Sequence, residues 1–250
     1  MAGKIGDDVF GSSYQETFDQ EGVNRSIVEV EKGLSTGVAV IEVDDSGENH
    51  IVIVPGANGK MDRDYVERNI ETIASADYVL FQLEIPLDTI THTLSLLKDR
   101  KAMTILDPAP APAQGLPSEL LANVDFITPN ESEAHSLTGV EVTDEASARK
   151  AGEALMKQGA SRVIIKAGGS GAYIVDEAGV RKVEGFSVEV ADTTAAGDAF
   201  NAGFAFALGE GSSLEDGVRH GNAVGAMACT GFGAQSAMPT SAEVEKLLGR

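Results

Sequence analysis

Short apolar runs alternate with longer amphipathic stretches along most of the 250-residue chain. The runs Tyr78 to Leu83, Met103 to Leu106, Phe126 to Thr128 and Arg162 to Lys166 are brief, rich in β-forming residues and bounded by turn formers, as strands buried on both faces of a sheet are. Between them, Asp62 to Ala74, Leu87 to Lys98 and Glu145 to Gln158 repeat apolar positions at helical spacing. The alternation predicts an α/β domain of three αβα layers, Rossmann-like, with a mostly parallel sheet and helices on both faces.

Two segments break the alternation. Thr36 to Val43 and Asn49 to Val54 flank an acidic turn, Asp44 to Gly47, and predict a hairpin rather than a strand–helix–strand unit. A second hairpin is expected from Ala172 to Asp176 and Arg181 to Val190, turning at Glu177 to Val180. The opening is unusual as well. Met1 to Ile5 is too short for a complete strand, and Asp7 to Phe18 follows as a helix with Phe10, Tyr14 and Phe18 at i, i+4 and i+8. A doubly wound domain opens on a full strand, so this one is expected to begin midway. No linker or low-complexity tract divides residues 1–250, which predicts a single domain.

Composition narrows the function classes. With 42% hydrophobic residues the chain is sized for one substantial core. Its 39 acidic against 19 basic residues give a net charge of −20, which repels nucleic acid and anionic membrane at long range. A polyanionic substrate then needs local donors or a metal. Cys229 is the single cysteine, so no intramolecular disulfide forms and the cytoplasm is the expected compartment. Neither a transmembrane helix nor a signal peptide is expected, and His50, His92, His135 and His220 lack metal-ligand spacing.

The segment richest in chemistry is Asp192 to Phe200, DTTAAGDAF, before an apolar helix, Asn201 to Leu208. Small residues ahead of a helix let the N–H groups of Ala195, Ala196 and Gly197 point at one spot, where the helix dipole favours negative charge. A first-turn carboxylate, Asp198, then sits where it can take a proton from an attacking hydroxyl. The same residues also read as a favourable first-turn acid beside small residues that permit close packing. Asn130 to Glu133, NESE, follows a strand end and reads as a capped helix start or as a ligand-gathering site. Lys166 to Gly171, KAGGSG, is either a plain turn or a glycine loop that lets backbone approach phosphate or ribose. It is not a dinucleotide fingerprint, and no G-x-x-x-x-G-K-[ST] loop occurs. Gly221 to Pro239, GNAVGAMACTGFGAQSAMP, predicts a close-packing helix ending in a turn whose carbonyls suit a cation.

Taken together these segments resemble the PfkB carbohydrate kinases. DTTAAGD is similar to the family's second signature, NESE to its N-x-x-E motif and KAGGSG to its T-x-G-x-x-G nucleotide loop. IVIVPGAN (Ile51 to Asn58), QLEIPLD (Gln82 to Asp88) and LDPAPA (Leu106 to Ala111) resemble the ribokinase branch, and the matches run in order from Lys4 to Pro239. The resemblance implies a ribokinase-like fold in which a hairpin at about residues 36–56 is a lid over the sugar. It implies ATP-dependent phosphorylation of D-ribose to D-ribose 5-phosphate. The alternatives are another sugar or nucleoside as acceptor, or a nucleotide-binding fragment without activity.

By the same resemblance Asp198 is the catalytic base and a sugar contact, and Ala195, Ala196 and Gly197 form the anion hole. Glu84 meets a sugar hydroxyl, although a carboxylate at a strand end equally reads as half of a buried ion pair. ATP is bordered by Asn130, Lys166, Ala167, Gly168, Gly169, Ser170, Gly171, Gly197 and Asn222, the last facing adenine. Lys166 departs from the hydroxyl usual at its position; its ammonium reaches a phosphate or only solvent. Glu133 holds Mg²⁺ through water, and K⁺ is held by Asp192, the carbonyls of Thr194, Ala228, Gly231 and Gly233, and Ser236, with Ala237 the competing register for the serine. ATP and a pentose are the implied partners, and the apolar alternation of the lid hairpin invites a homodimer. Family members carry an upstream strand with a sugar-binding Asp and a Gly-Gly-Lys-Gly-x-Asn-type segment. Met1 to Gly6 resembles an internal stretch, so an N-terminal truncation is expected, with nucleotide binding outlasting sugar binding.

Overall fold

A computed structural model describes residues 1–43 and 49–249, with backbone alone at 41–43 and 49–51. The acidic turn expected at Asp44 to Gly47 lies outside the described residues. The chain forms two compact units. One comprises Met1–Ser75 with Leu83–Leu96; the other comprises Ala76–Gln82 with the chain from Leu97 onward.

In the first unit, β1 (Ala2–Gly6) is followed by α1 (Val9–Gln20), β2 (Ile27–Glu31), the hairpin strands β3 (Val38–Val43) and β4 (Asn49–Val54), and α2 (Arg63–Ala74). The opening, expected to be too short for a complete strand, is a strand of five residues, Ala2 to Gly6, pairing in parallel with Ile27 to Glu31, a strand the sequence analysis did not name. Tyr65 of α2 is fully buried and ties the pair together, its hydroxyl accepting from Gly3 N–H at 2.9 Å and donating to the Ile27 carbonyl. The helix begins two residues later than expected, because Asp8 caps it by accepting from Gly11 N–H at 2.8 Å. Of the aromatic residues spaced i, i+4 and i+8 along α1, Phe10 and Tyr14 are exposed. The β3–β4 hairpin pairs Val40 with Val52 and Val38 with Val54, and Val40, Val52 and Val54 are exposed.

Asp62 caps α2, accepting from Tyr65 N–H at 2.8 Å. Without that oxygen an N-terminal donor of α2 loses its partner. Asp62→Ala is expected to cost about 1 kcal/mol in urea unfolding, and an unchanged midpoint would show that the cap contributes nothing.

The second unit holds a sheet of order β10-β9-β8-β7-β6-β5. Here β5 (Tyr78–Phe81), β6 (Met103–Leu106), β7 (Phe126–Ile127) and β8 (Val163–Lys166) run parallel, while β9 (Ala172–Asp176) and β10 (Gly179–Val183) complete an antiparallel edge. The first strand ends at Phe81, short of the expected Leu83. The second hairpin is tighter than expected: only Glu177 and Ala178 separate its strands, with Asp176 accepting from Ala178 N–H and Gly179 at φ 110°. Residues 184–190 are not strand.

The helices are α3 (Leu87–Leu97), which lies almost wholly in the first unit, and then α4 (Ser118–Ala122), α5 (Glu131–Thr138), α6 (Glu145–Lys157), α7 (Ala196–Gly209), α8 (Leu214–Ala228) and α9 (Ser241–Leu248). Strand alternation sends Ile105, Phe126, Ile164 and Ile174 to one face, where Phe200 and Phe204 of α7 and Val218 of α8 cover them. The opposite face meets α6, where a β-carbon on Gly152 would strike Val175 at 2.6 Å. The expected layers, helices on both faces of a mostly parallel sheet, are thus present. Small residues let α7 and α8 touch, since β-carbons on Gly203 and Gly221 would fall 2.5 Å from Val224 and 2.9 Å from the Phe200 carbonyl. Among the described residues no helix is long and apolar enough to cross a membrane.

Candidate active site

Parallel strands deliver their carboxyl ends to one edge of a sheet, and in open α/β sheets that edge collects ligand groups. In the second unit Gln82 follows β5, Asp107 follows β6, Asn130 follows β7 and Lys166 ends β8. At the strand ends the ladders are extended by backbone bonds: Asp107 N–H donates to the Phe81 carbonyl and Lys166 N–H to the Pro129 carbonyl, both at 2.8 Å.

The N-terminus of α7 brings Asp198 to this edge. Ala195, just before the helix, takes left-handed backbone (φ 59°, ψ 14°), a conformation that costs a non-glycine residue about 1–2 kcal/mol and therefore marks a constrained turn. First-turn N–H groups have no acceptor inside their own helix. That of Ala196 makes a long 3.2 Å bond to the Thr193 carbonyl. Gln82 Nε2 donates to Asp198 Oδ1 at 3.1 Å. Although the Asp198 side chain reaches solvent, burial by the surrounding walls, and then the negative charge of Asp107, push its carboxyl above the ordinary aspartate value; Lys166 and Gln82 pull it back.

Asn130 and Glu133 form a complete capping box: Glu133 N–H donates to Asn130 Oδ1 at 2.8 Å and Asn130 N–H to Glu133 Oε2 at 2.7 Å. The capped-helix reading is therefore correct, and the box also fixes the Glu133 carboxylate near the other charges. Burial raises the Glu133 carboxyl. Asn130 N–H and Lys166 oppose the shift, and Asp107 and Asp198 add to it. Asp107, Glu133 and Asp198 thus share one ammonium, Lys166.

The loop Lys166 to Gly171 closes on itself through Ala167 N–H to the Gly171 carbonyl at 2.8 Å, around a single 3₁₀ turn at Gly168–Ser170. Gly171 (φ 95°) admits no side chain, since its β-carbon would lie 2.1 Å from the Val183 carbonyl. Above Gly168 and Gly169 the space is open, with no atom within 4 Å of a β-carbon built there. Buried Asn222 on α8 donates to the Val183 and Glu184 carbonyls at 3.2 Å each.

The expected cation turn is gathered by Asp192. Its carboxylate accepts from Gly233 N–H (2.9 Å), the Thr194 hydroxyl (2.7 Å) and Thr194 N–H (2.9 Å), and these bonds lower its pKa from the ordinary aspartate value. Both Ala191 and Asp192 N–H groups donate to the Cys229 carbonyl just past Ala228. The Ser236 hydroxyl donates to the Phe232 carbonyl at 2.8 Å, and Gly231 packs against Ala237. Glu84 lies in the first unit and is exposed, contrary to the buried strand-end carboxylate anticipated, because β5 ends three residues before it.

Three residues at the edge escaped sequence reasoning: Gln82, Asp107 and Asn201. The strand-end rule that singled out Asn130 would have found Gln82 and Asp107, which follow β5 and β6. Asn201 gave no signal within an apolar helix.

The family model for pfkB family carbohydrate kinases matches residues 1–241. A ribokinase from Haemophilus influenzae is 41% identical over 244 residues, spanning 98% of this chain and 79% of its own. Among solved structures, a ribokinase from Thermotoga maritima superposes with a TM-score of 0.86 at 37% identity, covering 99% of this chain and 80% of that one. A ribokinase from Arabidopsis thaliana, complexed with ribose and ATP, gives 0.92 at 30% identity, covering 100% and 81%. On these likenesses the chain belongs to the pfkB family of carbohydrate kinases.

Proposed function

We propose that this protein transfers the γ-phosphoryl group of ATP to D-ribose, giving ADP and D-ribose 5-phosphate. The observation that carries the proposal is Asp198 in the first turn of α7, beside a left-handed anion-binding turn, at the strand-end edge that also holds Glu133 and the Lys166 to Gly171 loop. The loop's open glycine backbone suits a nucleotide phosphate, and the N–H groups of Ala195 and Gly197 suit the phosphoryl oxygens. Asp198 accepts the proton of the ribose hydroxyl as that oxygen bonds to phosphorus and the bond to the β-phosphate oxygen breaks. Glu84 is the proposed partner of a second sugar hydroxyl, and Asn222 lies where the adenine is expected.

Three carboxylates around one ammonium leave the edge short of positive charge; among the described residues they do not form a metal-binding cluster of their own, so a divalent cation would arrive with the nucleotide's phosphates and keep much of its water. Mg²⁺ would be held by Glu133 through water and would neutralise phosphate charge. Asp192, the carbonyls of Thr194, Ala228, Gly231 and Gly233, and Ser236 are the proposed holders of a monovalent cation, which would stiffen the turn leading to Ala195. Turnover is accordingly expected to rise with potassium and much less with sodium, because oxygen cages select by size and ligand number. Equal rates in potassium and in a large inert counterion would remove this site from the account.

The raised Asp198 carboxyl sets the pH dependence. The base works ionised, and its proton is held to a higher pH than an exposed aspartate's, so turnover should climb with pH through a value above the ordinary aspartate pKa. The exposed valines of the β3–β4 hairpin support its role as a lid and as a pairing surface for a second copy, and the single cysteine suits a reducing cytoplasm.

Another sugar or nucleoside as acceptor, or nucleotide binding alone, are the competing outcomes. A coupled ADP-release assay over a panel of pentoses, hexoses and nucleosides separates them: ribose is expected to give the highest kcat/KM. A different preferred acceptor would reassign the substrate, and ATP binding without turnover would favour the inactive reading.

A further inference from the structure

Lys166 is held in a way that solvent-facing lysines are not. Its Nζ donates to Asp107 Oδ2 at 2.6 Å, and the side chain keeps only 12% of its exposure. The same oxygen accepts from Asn201 Nδ2, also at 2.6 Å. Asp107 and Asn201 are 4% and 2% exposed, so both anchors are fixed within the unit. A β-carbon built on Gly197 would stand 3.1 Å from Lys166 Nζ and 3.5 Å from Asp107 Oδ2. The ammonium is thereby pressed against the backbone of the anion-binding turn.

The arrangement is costly as mere structure. Asp107 Oδ1 and Asn201 Oδ1 are buried and have no hydrogen-bond partner among the described residues. Buried ion pairs gain little over packed apolar side chains, and an unpaired buried oxygen costs more. A lysine also has several rotatable bonds to restrain. What the cluster achieves is a positive charge fixed beside Asp198 and the turn.

We propose that Lys166 is a further catalytic residue, its ammonium stabilising the phosphoryl group in flight, and that Asp107, braced by Asn201, is the positioning residue that holds it there. The proposal rests on the kinase reading of this site. In the transfer, the acceptor oxygen bonds to the γ-phosphorus, its proton goes to Asp198, and the bonding pair of the breaking phosphorus–oxygen bond leaves with ADP. Lys166 donates hydrogen bonds to the equatorial phosphoryl oxygens and keeps its protons throughout. Preorganised donors aimed at developing charge are the largest single contribution in many enzymes.

Replacing Lys166 alone strands a buried carboxylate, so the test pairs Lys166→Met with the double variant Asp107→Asn/Lys166→Met, in which no buried charge is left unpaired. Both are expected to lose about 10²-fold in kcat, the loss typical of one such donor, while KM for ATP changes by less than about threefold, because a transition-state interaction is removed. Lys166→Arg restores part of the loss. Asp107→Asn alone lowers kcat less and moves the acid limb of the kcat profile downward, whereas Lys166→Met moves it upward. The groups facing Asp198 are Gln82 after β5, Asp107 after β6, Glu133 on α5 and Lys166 on β8, and of these Asp107 raises and Lys166 lowers its carboxyl. A kcat loss that only tracks a fall in Tm, a wild-type kcat in the double variant, or a rise confined to KM for ATP would overturn the proposal. A wild-type chain that phosphorylates no sugar defeats the kinase reading instead. Calorimetry of ADP with aluminium fluoride then decides for Lys166: the fluoride should tighten ADP binding to the wild type and not to either methionine variant, and equal tightening in all three would overturn it.

Discussion

Asp198→Asn is expected to cut turnover by about 10²–10⁴-fold, the range of a lost general base, while ATP binding survives. The amide keeps the size of the carboxylate but accepts no proton. Asp198 is exposed, as a structural acid would not be, and among the described residues the side chain hydrogen-bonded to it is that of Gln82, at 3.1 Å. The fold should therefore tolerate the change, and thermal melting should be nearly unaltered. Steady-state kinetics with calorimetry of ATP binding checks both halves. A variant with near wild-type kcat would end the assignment of Asp198 as the base.

Phe204→Ala carries the largest expected loss of stability, about 3–5 kcal/mol. The ring is fully buried, meets Phe126 edge to face with centroids 5.2 Å apart, and stacks on Phe200 at 6.1 Å. Around it lie Ile105, Ile164, Ile174 and Val218, contributed by the sheet and by α8. The cavity has little room to collapse, because Gly203 and Gly221 already hold α7 and α8 near backbone contact. Typical domains have only about 5–15 kcal/mol to lose. Urea unfolding followed by circular dichroism should show the full drop; a loss under about 1 kcal/mol would mean that the helices repack and that this core is not what seats α7. Since Asp198 rides on α7, a repacked core should also disturb turnover.

The parts of the fold set by local periodicity were legible in the sequence. Strands β6 and β9 fall where the apolar runs placed them, and α2, α3 and α6 lie within a residue of the expected limits. The parts set by distant partners were not. Ala2 to Gly6, AGKIG, is a strand because it pairs with Ile27 to Glu31 and Tyr65 fastens the two; little in its own five residues announces that, whereas the alternation of IVEVE at 27–31 was a local strand signal left unread. The second hairpin turned earlier than expected because Asp176 and Gly179 shape a two-residue turn, and side-chain alternation ran on past its end.

The candidate site divides in the same way. Motifs carried by consecutive residues, such as Asp192 to Asp198, Asn130 to Glu133 and the Lys166 to Gly171 loop, were visible as unusual local chemistry. The partnership of Asp107, Lys166 and Asn201 joins residues 59 and 94 positions from Asp107 and is visible only when the strand ends are side by side. Lys166 looked like a departure from the family's hydroxyl. Its counter-ion was already in the sequence, within LDPAPA, with nothing local to connect the two.

Phosphorus NMR of the protein with ATP, Mg²⁺ and D-ribose in potassium buffer tests the central claim most directly, because it reports the fate of the γ-phosphoryl group itself. The expected result is loss of the ATP γ resonance, matched by equal growth of ADP and of a sugar monophosphate at the 5-position. ATP that stays intact in the presence of ribose, or ADP that appears with inorganic phosphate and no phosphorylated sugar, would contradict it.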